Sequence, residues 1–193
     1  VARPREFNES EALGDAMHLF WRRGYECASL SEITRATGLS KSSLYGTFGS
    51  KHELLISSLQ FYGEHMVAPS LVILEEEPSA RDAIAKRFEM IIAGLTGPGP
   101  RRGCLIANTT LELGTRDPAV AKCLAAVQSN MEMAYVRVIE RGQAAGEIDT
   151  AKEAQSLARY IMACLAGMIC LSKAGFDAPA LRDIAAVAME AIA

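Results

Sequence analysis

Between residues 41 and 51 the sequence Lys-Ser-Ser-Leu-Tyr-Gly-Thr-Phe-Gly-Ser-Lys gathers short hydroxyls, one phenol and two ammonium groups, with no acid among them. Such groups hydrogen-bond to phosphate oxygens and to base edges, and Ser and Thr do so without a bulky stem. At helical spacing Leu44 and Phe48 share one face, which leaves Lys41, Ser42, Ser43, Tyr45 and Thr47 outward. Lys51 falls at the start of a further helix, where its charge and the free amide N–H groups can hold one phosphate together. Ser29 and Ser31, in the first turn of the preceding helix, add two hydroxyls. These eight residues are the candidate DNA contacts. A helix pair that faces only water is usually rich in Glu and Lys, and this one is not.

The elements that must position these groups are legible in the caps. Ser29 with Glu32 three residues on forms a capping box, so a helix starts near Leu30 with Ile33 and Ala36 on its buried face. Gly38 supplies a left-handed stop. Ser40 caps a second helix running to about Phe48, and Ser50 with Glu53 opens a third. Two helices of about two turns each, joined around a Gly, make a helix-turn-helix, the unit that lays its second helix in the DNA major groove.

The segment resembles the N-terminal DNA-binding domain of the TetR family of bacterial transcriptional regulators. The matching residues are Gly24-Tyr25, Ser29-Leu30, Glu32-Ile33, Ala36, Gly38-Leu39-Ser40-Lys41, Leu44-Tyr45, Phe48, Ser50-Lys51 and Glu53-Leu54. The resemblance implies a homodimeric repressor bound to a pseudo-palindromic double-stranded operator and released by a small-molecule effector of unknown identity. Two positions depart from the pattern: Ala28 stands where the family often has Thr, at the expense of one phosphate contact, and Gly46-Thr47 replaces a bulky pair.

Composition sets the frame. A chain of 193 residues with 50% hydrophobic and 22% charged residues can bury a core and is not disordered. Aromatic residues are few, Ala is abundant and β-branched runs are scarce, which predicts an all-α protein. Net charge is −3, so any DNA footprint must come from local placement of Arg3, Arg5, Arg35, Lys41 and Lys51. The polar start is unlike a secretory signal. The apolar run between Arg159 and Lys173 is shorter than the roughly 20 residues of a membrane span. Cys27, Cys104, Cys123, Cys164 and Cys170 form no Cys-x-x-Cys pair and no His/Cys cluster. The expectation is a reduced, cytoplasmic protein without metal or cofactor.

The pattern predicts about nine helices. The first runs from Asn8 to Arg23, with Asn8 and Glu11 as its capping box. The fourth runs from Ser50 past Met66 and is kinked or broken at Pro69. Further starts lie at Ser79, Cys104, Asp117-Pro118, Thr150 with Glu153, and Asp177 with Pro179. The domain boundary falls within the fourth helix, giving a DNA-binding domain over 1–49 and an effector-binding and dimerisation domain over 50–193.

In the second part, Phe61, Tyr62, His65, Met66, Phe88, Met131 and Tyr135 can wall an effector pocket, with Cys104, Asn108 and Glu112 as its polar groups, although residues at this spacing also suit an ordinary core. The eighth helix is apolar nearly all round and is expected to be buried on most sides. Leu165 and Ile169 there, with Leu181, Ile184 and Ala188 on the ninth, are the candidate dimer interface. Cys104, just after Arg101 and Arg102, suggests the alternative of a redox- or electrophile-sensing regulator. His18, His52 and His65 fit no triad or metal spacing, and no phosphate loop or nucleophile elbow occurs, which argues against an enzyme. His52, beside Lys51, is placed to face a phosphate. A helical interaction module without DNA binding is the remaining class.

Overall fold

The computed structural model describes residues 8–192. The helices are α1 (Glu9–Arg23), α2 (Leu30–Thr37), α3 (Lys41–Phe48), α4 (Lys51–Tyr62), a π-helical turn (Gly63–Val67), α5 (Ala68–Leu71), α6 (Ile73–Glu76), α7 (Ala80–Thr96), α8 (Leu105–Leu113), α9 (Pro118–Ala144), α10 (Ala154–Lys173) and α11 (Ala178–Ala191). Counting the run from α4 to α6 as one broken rod gives nine helices among the described residues, and no strand. Arg3 and Arg5 lie outside those residues.

The caps at Ser29 and Ser50 are full capping boxes, and Asp117 and Asp177 accept backbone N–H bonds at the starts of α9 and α11. Two starts differ from the sequence expectation. Asn8 caps α1, but Glu11 reaches the Asn8 side-chain amide, at 3.1 Å. Thr150 does not cap α10: the helix begins at Ala154, and Glu153 occupies the cap without a side-chain bond.

Pro69 does not break its helix. Just before it, the Ala68 N–H bonds to the Gly63 carbonyl, five residues back, as in a π turn. The widened turn moves the carbonyl that the proline ring would strike, and Pro69 then sits in the first turn of α5, where its missing N–H costs little. The chain turns away later, at Val72, and becomes extended at Glu77 before Pro78.

The apolar interior forms two clusters. One joins α1 to α4 with Leu105, Ile106 and Leu113 of α8 and the first turns of α9. The other joins α6, α7, the second half of α9, α10 and α11 around Tyr135, Phe88, Ile92 and Ile139. Leu71 packs against both. The head is therefore built from long-range as well as local contacts, because α8 and α9 close its open side.

α10 is not buried on most sides. Leu157, Ala158, Ile161, Leu165, Met168 and Ser172 face the core, yet only 28% of its most apolar stretch is buried. The helix has 20 residues and a mean hydropathy of 1.4 over its most apolar stretch, but it includes Arg159 and Lys173, and the charge-free run between them stays shorter than a membrane span. It packs against α7, α9 and α11, and its opposite face is bare.

Candidate nucleic-acid interface

The turn between α2 and α3 rests on Gly38, whose φ of 68° is left-handed and open to Gly at no steric cost. Ile33 and Leu44 are buried beneath it and fix the two helices against α1 and α4. Six of the eight candidate contacts are exposed: Ser29, Ser31, Lys41, Ser42, Ser43 and Tyr45. Thr47 and Lys51 are half-buried. Ala28 is fully buried, so its methyl group belongs to the core.

The hydroxyls are held in register before any ligand arrives. Ser40 Oγ accepts the Ser43 N–H at 3.1 Å and lies 2.9 and 3.0 Å from the Ser42 and Ser43 hydroxyls. Ser29 and Ser31 hydroxyls are 3.0 Å apart. The Lys51 ammonium stands 4.4 Å from the centre of the Tyr25 ring, a cation–π contact that orients it at the start of α4. The Glu32 carboxyl is held below the usual carboxylate range by the Ser29 N–H and hydroxyl, and then by Arg23 and Arg35. Arg23 lies 3.4 Å from it, so this anion is partly compensated.

Three links tie the head to the rest of the chain. Glu112 of α8 accepts the Tyr25 and Glu26 N–H groups, at 3.0 and 2.9 Å, one on each carboxylate oxygen. A Cβ on Gly24 would stand 2.9 Å from that carboxylate, and Gly24 itself has φ 75°, so the clamp fits only a glycine there. Trp21 Nε1 donates to the Gly103 carbonyl at 3.2 Å. His52 pairs with Asp117, the cap of α9, at 2.7 Å. The sequence reading set His52 toward a phosphate. Its ring is instead engaged between α4 and α9.

Asp117 is held below the usual carboxylate range, first by the Val120 N–H and then by His52. A carboxyl depressed in the folded state adds stability that is complete above its unfolded value, about 4, and is lost as pH falls through the lower folded value. Asp117→Asn keeps the cap but removes this proton linkage. Its thermal midpoint is expected to fall less steeply than wild type between about pH 5 and 3. Parallel acid limbs would remove Asp117 as a source of the pH dependence.

The ten expected pocket residues do not share one cavity wall. Phe61 stacks on His65 with centroids 4.0 Å apart, next to Gly14, and His65 and Met66 are exposed. Phe88 lies inside the C-terminal cluster, and Met131 packs on the head cluster. Asn108 donates to the Arg102 carbonyl and accepts from Lys173, at 2.8 and 2.9 Å. Glu112 is spent on the clamp. Three of the ten converge: the Tyr62 hydroxyl donates to Cys104 Sγ at 3.7 Å, and Tyr62 and Tyr135 both lie in the field of Arg87. Sequence reasoning missed Arg87, because in Ala-Lys-Arg-Phe-Glu it looks like one more surface charge; it is only 8% exposed.

Arg101 and Arg102 do not serve Cys104. Arg101 donates to the Ser172 and Phe176 carbonyls at 2.8 and 2.6 Å, and the Arg102 guanidinium lies 6.0 Å from the Trp21 ring centre. Of the five expected interface residues, Leu165, Leu181 and Ala188 are buried in the monomer core and have no apolar face left for a partner. Ile169 and Ile184 are half-buried. The outward face of the same helices carries Tyr160, Ala163, Gly167 and Cys170 on α10, and Ala186 and Val187 on α11.

Residues 13–57 match the family model "Bacterial regulatory proteins, tetR family", and residues 80–188 match "Tetracyclin repressor-like, C-terminal domain". The chain is 28% identical over 186 residues to the uncharacterized HTH-type transcriptional regulator YezE of Bacillus subtilis, covering 95% of each protein. It is 29% identical to the HTH-type transcriptional repressor ComR of Escherichia coli, over 95% of this chain and 88% of that one. Among solved structures, a cysteine mutant of the TetR family regulator CifR, complexed with 26 bp operator DNA, superposes with a TM-score of 0.87 at 30% identity, covering 99% of this chain and 100% of that one. Reduced NemR of Escherichia coli shares the fold, with a TM-score of 0.88 at 18% identity over 96% and 98% of the chains.

Proposed function

The chain belongs to the TetR family of bacterial transcriptional regulators, and from that premise we propose that it is a homodimeric repressor released from its operator by a small-molecule effector. It is a DNA-binding transcriptional regulator, not an enzyme. The observation that carries the reading is the helix-turn-helix, whose second helix displays Lys41, Ser42, Ser43 and Tyr45 to solvent while Leu44 anchors it. Ser29, Ser31, Thr47 and the preset Lys51 complete the contact set. The CifR mutant was solved on operator DNA, which supports the same docking for this chain. The division is a head over 1–49 and a sensor and dimerisation part over 50–193, working in the cytoplasm where its operator lies.

The bare face of α10 supports the dimer. Small residues at Ala163 and Gly167, flanked by Tyr160 and Cys170, allow close approach of a second copy, and α11 adds Ala186 and Val187. Two recognition helices then meet half-sites about 34–36 Å apart. Selection of bound fragments from random double-stranded DNA tests this. An inverted repeat with half-sites about one helical turn apart is expected. Recovery of unrelated sequences, with binding indifferent to salt, would sink the repressor reading.

A second reading is sensing through Cys104. Its thiol is free, half-buried and bonded to Tyr62, at the start of the helix whose Glu112 holds the head. Modification there would press on α8 directly. If Cys104→Ser leaves electrophile-driven operator release unchanged, the effector reading stands alone.

A further inference from the structure

Arg87 is a buried cation with no anion beside it among the described residues. It projects from α7 between the two apolar clusters, with Tyr62 of one and Tyr135 of the other beside it. Its guanidinium hydrogen-bonds to a neutral group: one N–H donates to Ser70 Oγ at 3.0 Å. Ser70 in turn donates to the Val67 carbonyl of the π turn. The Tyr135 hydroxyl has the Arg87 guanidinium as its polar neighbour, but neither it nor the Arg87 Nε, both buried, reaches a well-aligned hydrogen bond, and no carboxylate among the described residues pairs with Arg87. Arg141, the other buried guanidinium with an idle Nε, differs: two of its nitrogens bond to the Glu75 and Glu77 carbonyls. A charge taken from water needs an opposite charge or a full set of hydrogen bonds, and Arg87 has neither.

The geometry points to an internal anion site, in which Arg87, Tyr135 and Ser70 receive the carboxylate of a small amphipathic acid whose apolar body lies in the seam between the clusters. A carboxylate accepts the Arg87 Nε–H and a second guanidinium N–H as a pair, and the Tyr135 hydroxyl, whose oxygen faces Arg87, keeps its proton to donate to it as well. Burial pushes the Tyr135 phenol up to about 12, so it stays a donor at neutral pH. The Tyr62 phenol is also raised by burial and keeps its proton. The proposed way in is the 280 Å³ groove at the π turn, lined by Val67, Leu71, Cys123 and Val127; Ser70, Arg87 and Tyr135 lie beyond its lining. Leu71, part of the groove wall, also packs on both clusters and is the residue that would have to yield for an acid to pass from the groove to the seam. A π turn opens a helix locally and is common at functional sites. The inference rests on the effector reading above and gives it a chemical class.

The test uses the full-length protein with hexanoate and benzoate, and with hexanamide and benzamide as neutral partners of the same shape. Readouts are the thermal midpoint, the emission of Trp21, the chain's one tryptophan, whose ring meets Tyr62 edge-on at 5.1 Å, and retention of operator DNA. The acids are expected to raise the midpoint and shift Trp21 emission, and the amides to do neither. Arg87→Met should weaken acid binding at least tenfold without lowering the apo midpoint, since it removes an unpaired buried charge. Tyr135→Phe, which deletes one hydroxyl and no volume, should weaken it severalfold and guards against a folding failure of the first variant. Equal binding of acids and amides, no binding of either, or acid binding unchanged in both variants overturns the site. Acid binding that leaves the operator bound supports the site and refutes the effector reading.

Discussion

The double substitution Tyr45→Ala with Lys51→Ala is expected to weaken operator binding by at least about 100-fold while leaving the fold intact. Each base or phosphate contact is worth about 1–3 kcal/mol, and the proposed dimer would lose each of them twice. The affinity should also become less sensitive to salt, its slope falling by about 2 for the two phosphate-binding lysines. The cost to the free protein is small. Tyr45 is exposed, and Lys51 gives up a cation–π contact worth about 0.5–1 kcal/mol. Fluorescence anisotropy of labelled operator at two ionic strengths, with circular dichroism as the check on folding, reads all of this. Wild-type affinity in a folded double variant would remove both residues from the interface.

Breaking the clamp on α8 is expected to cost the head about 2–4 kcal/mol of stability, because two charge-assisted hydrogen bonds to backbone N–H groups go together. Glu112→Gln is the decisive form. It keeps the volume, yet an amide offers one acceptor oxygen and turns its NH2 toward the second N–H, so one of the Tyr25 and Glu26 donors faces another donor. If the clamp acts through these bonds, Gln should be nearly as damaging as Ala. A head that melts as in wild type in Glu112→Gln would show that apolar packing of Leu105, Ile106 and Leu113 alone holds α8 to it. Urea unfolding followed through Trp21, which sits on the last turn of α1 and bonds to Gly103, reads the head specifically.

Local chemistry was legible wherever a residue acts on its own neighbours. Ser29 with Glu32, Ser50 with Glu53, Asp117 before Pro118 and Gly38 at the turn each fix an element through bonds to residues within four positions. The outward side chains of α3 follow from the same arithmetic, since Leu44 can be inside only if Tyr45 and Ser42 are out. Pro69 misled because the remedy for a helical proline is a change of register in the preceding turn, and nothing in Gly-Glu-His-Met-Val demands a π turn. Leu165, Leu181 and Ala188 misled for another reason. Helical periodicity finds an apolar stripe but does not say whether it meets its own chain or a copy, and α10 has apolar groups on both sides.

The sequence by itself determined the reading helix, its caps, its exposed hydroxyls and cations, and through them the family, because all of these depend on separations of a few residues. Only the tertiary structure decided what Glu112, His52 and Arg87 do. Glu112 meets a backbone 86 and 87 residues away, and His52 meets a cap 65 residues away. Arg87 becomes a buried cation because helices far apart in the chain close around it. A charged side chain carries no local mark of its burial. Its meaning is set by the dielectric and the partners that packing brings to it, and for Arg87 packing brought hydroxyls and apolar walls but no anion.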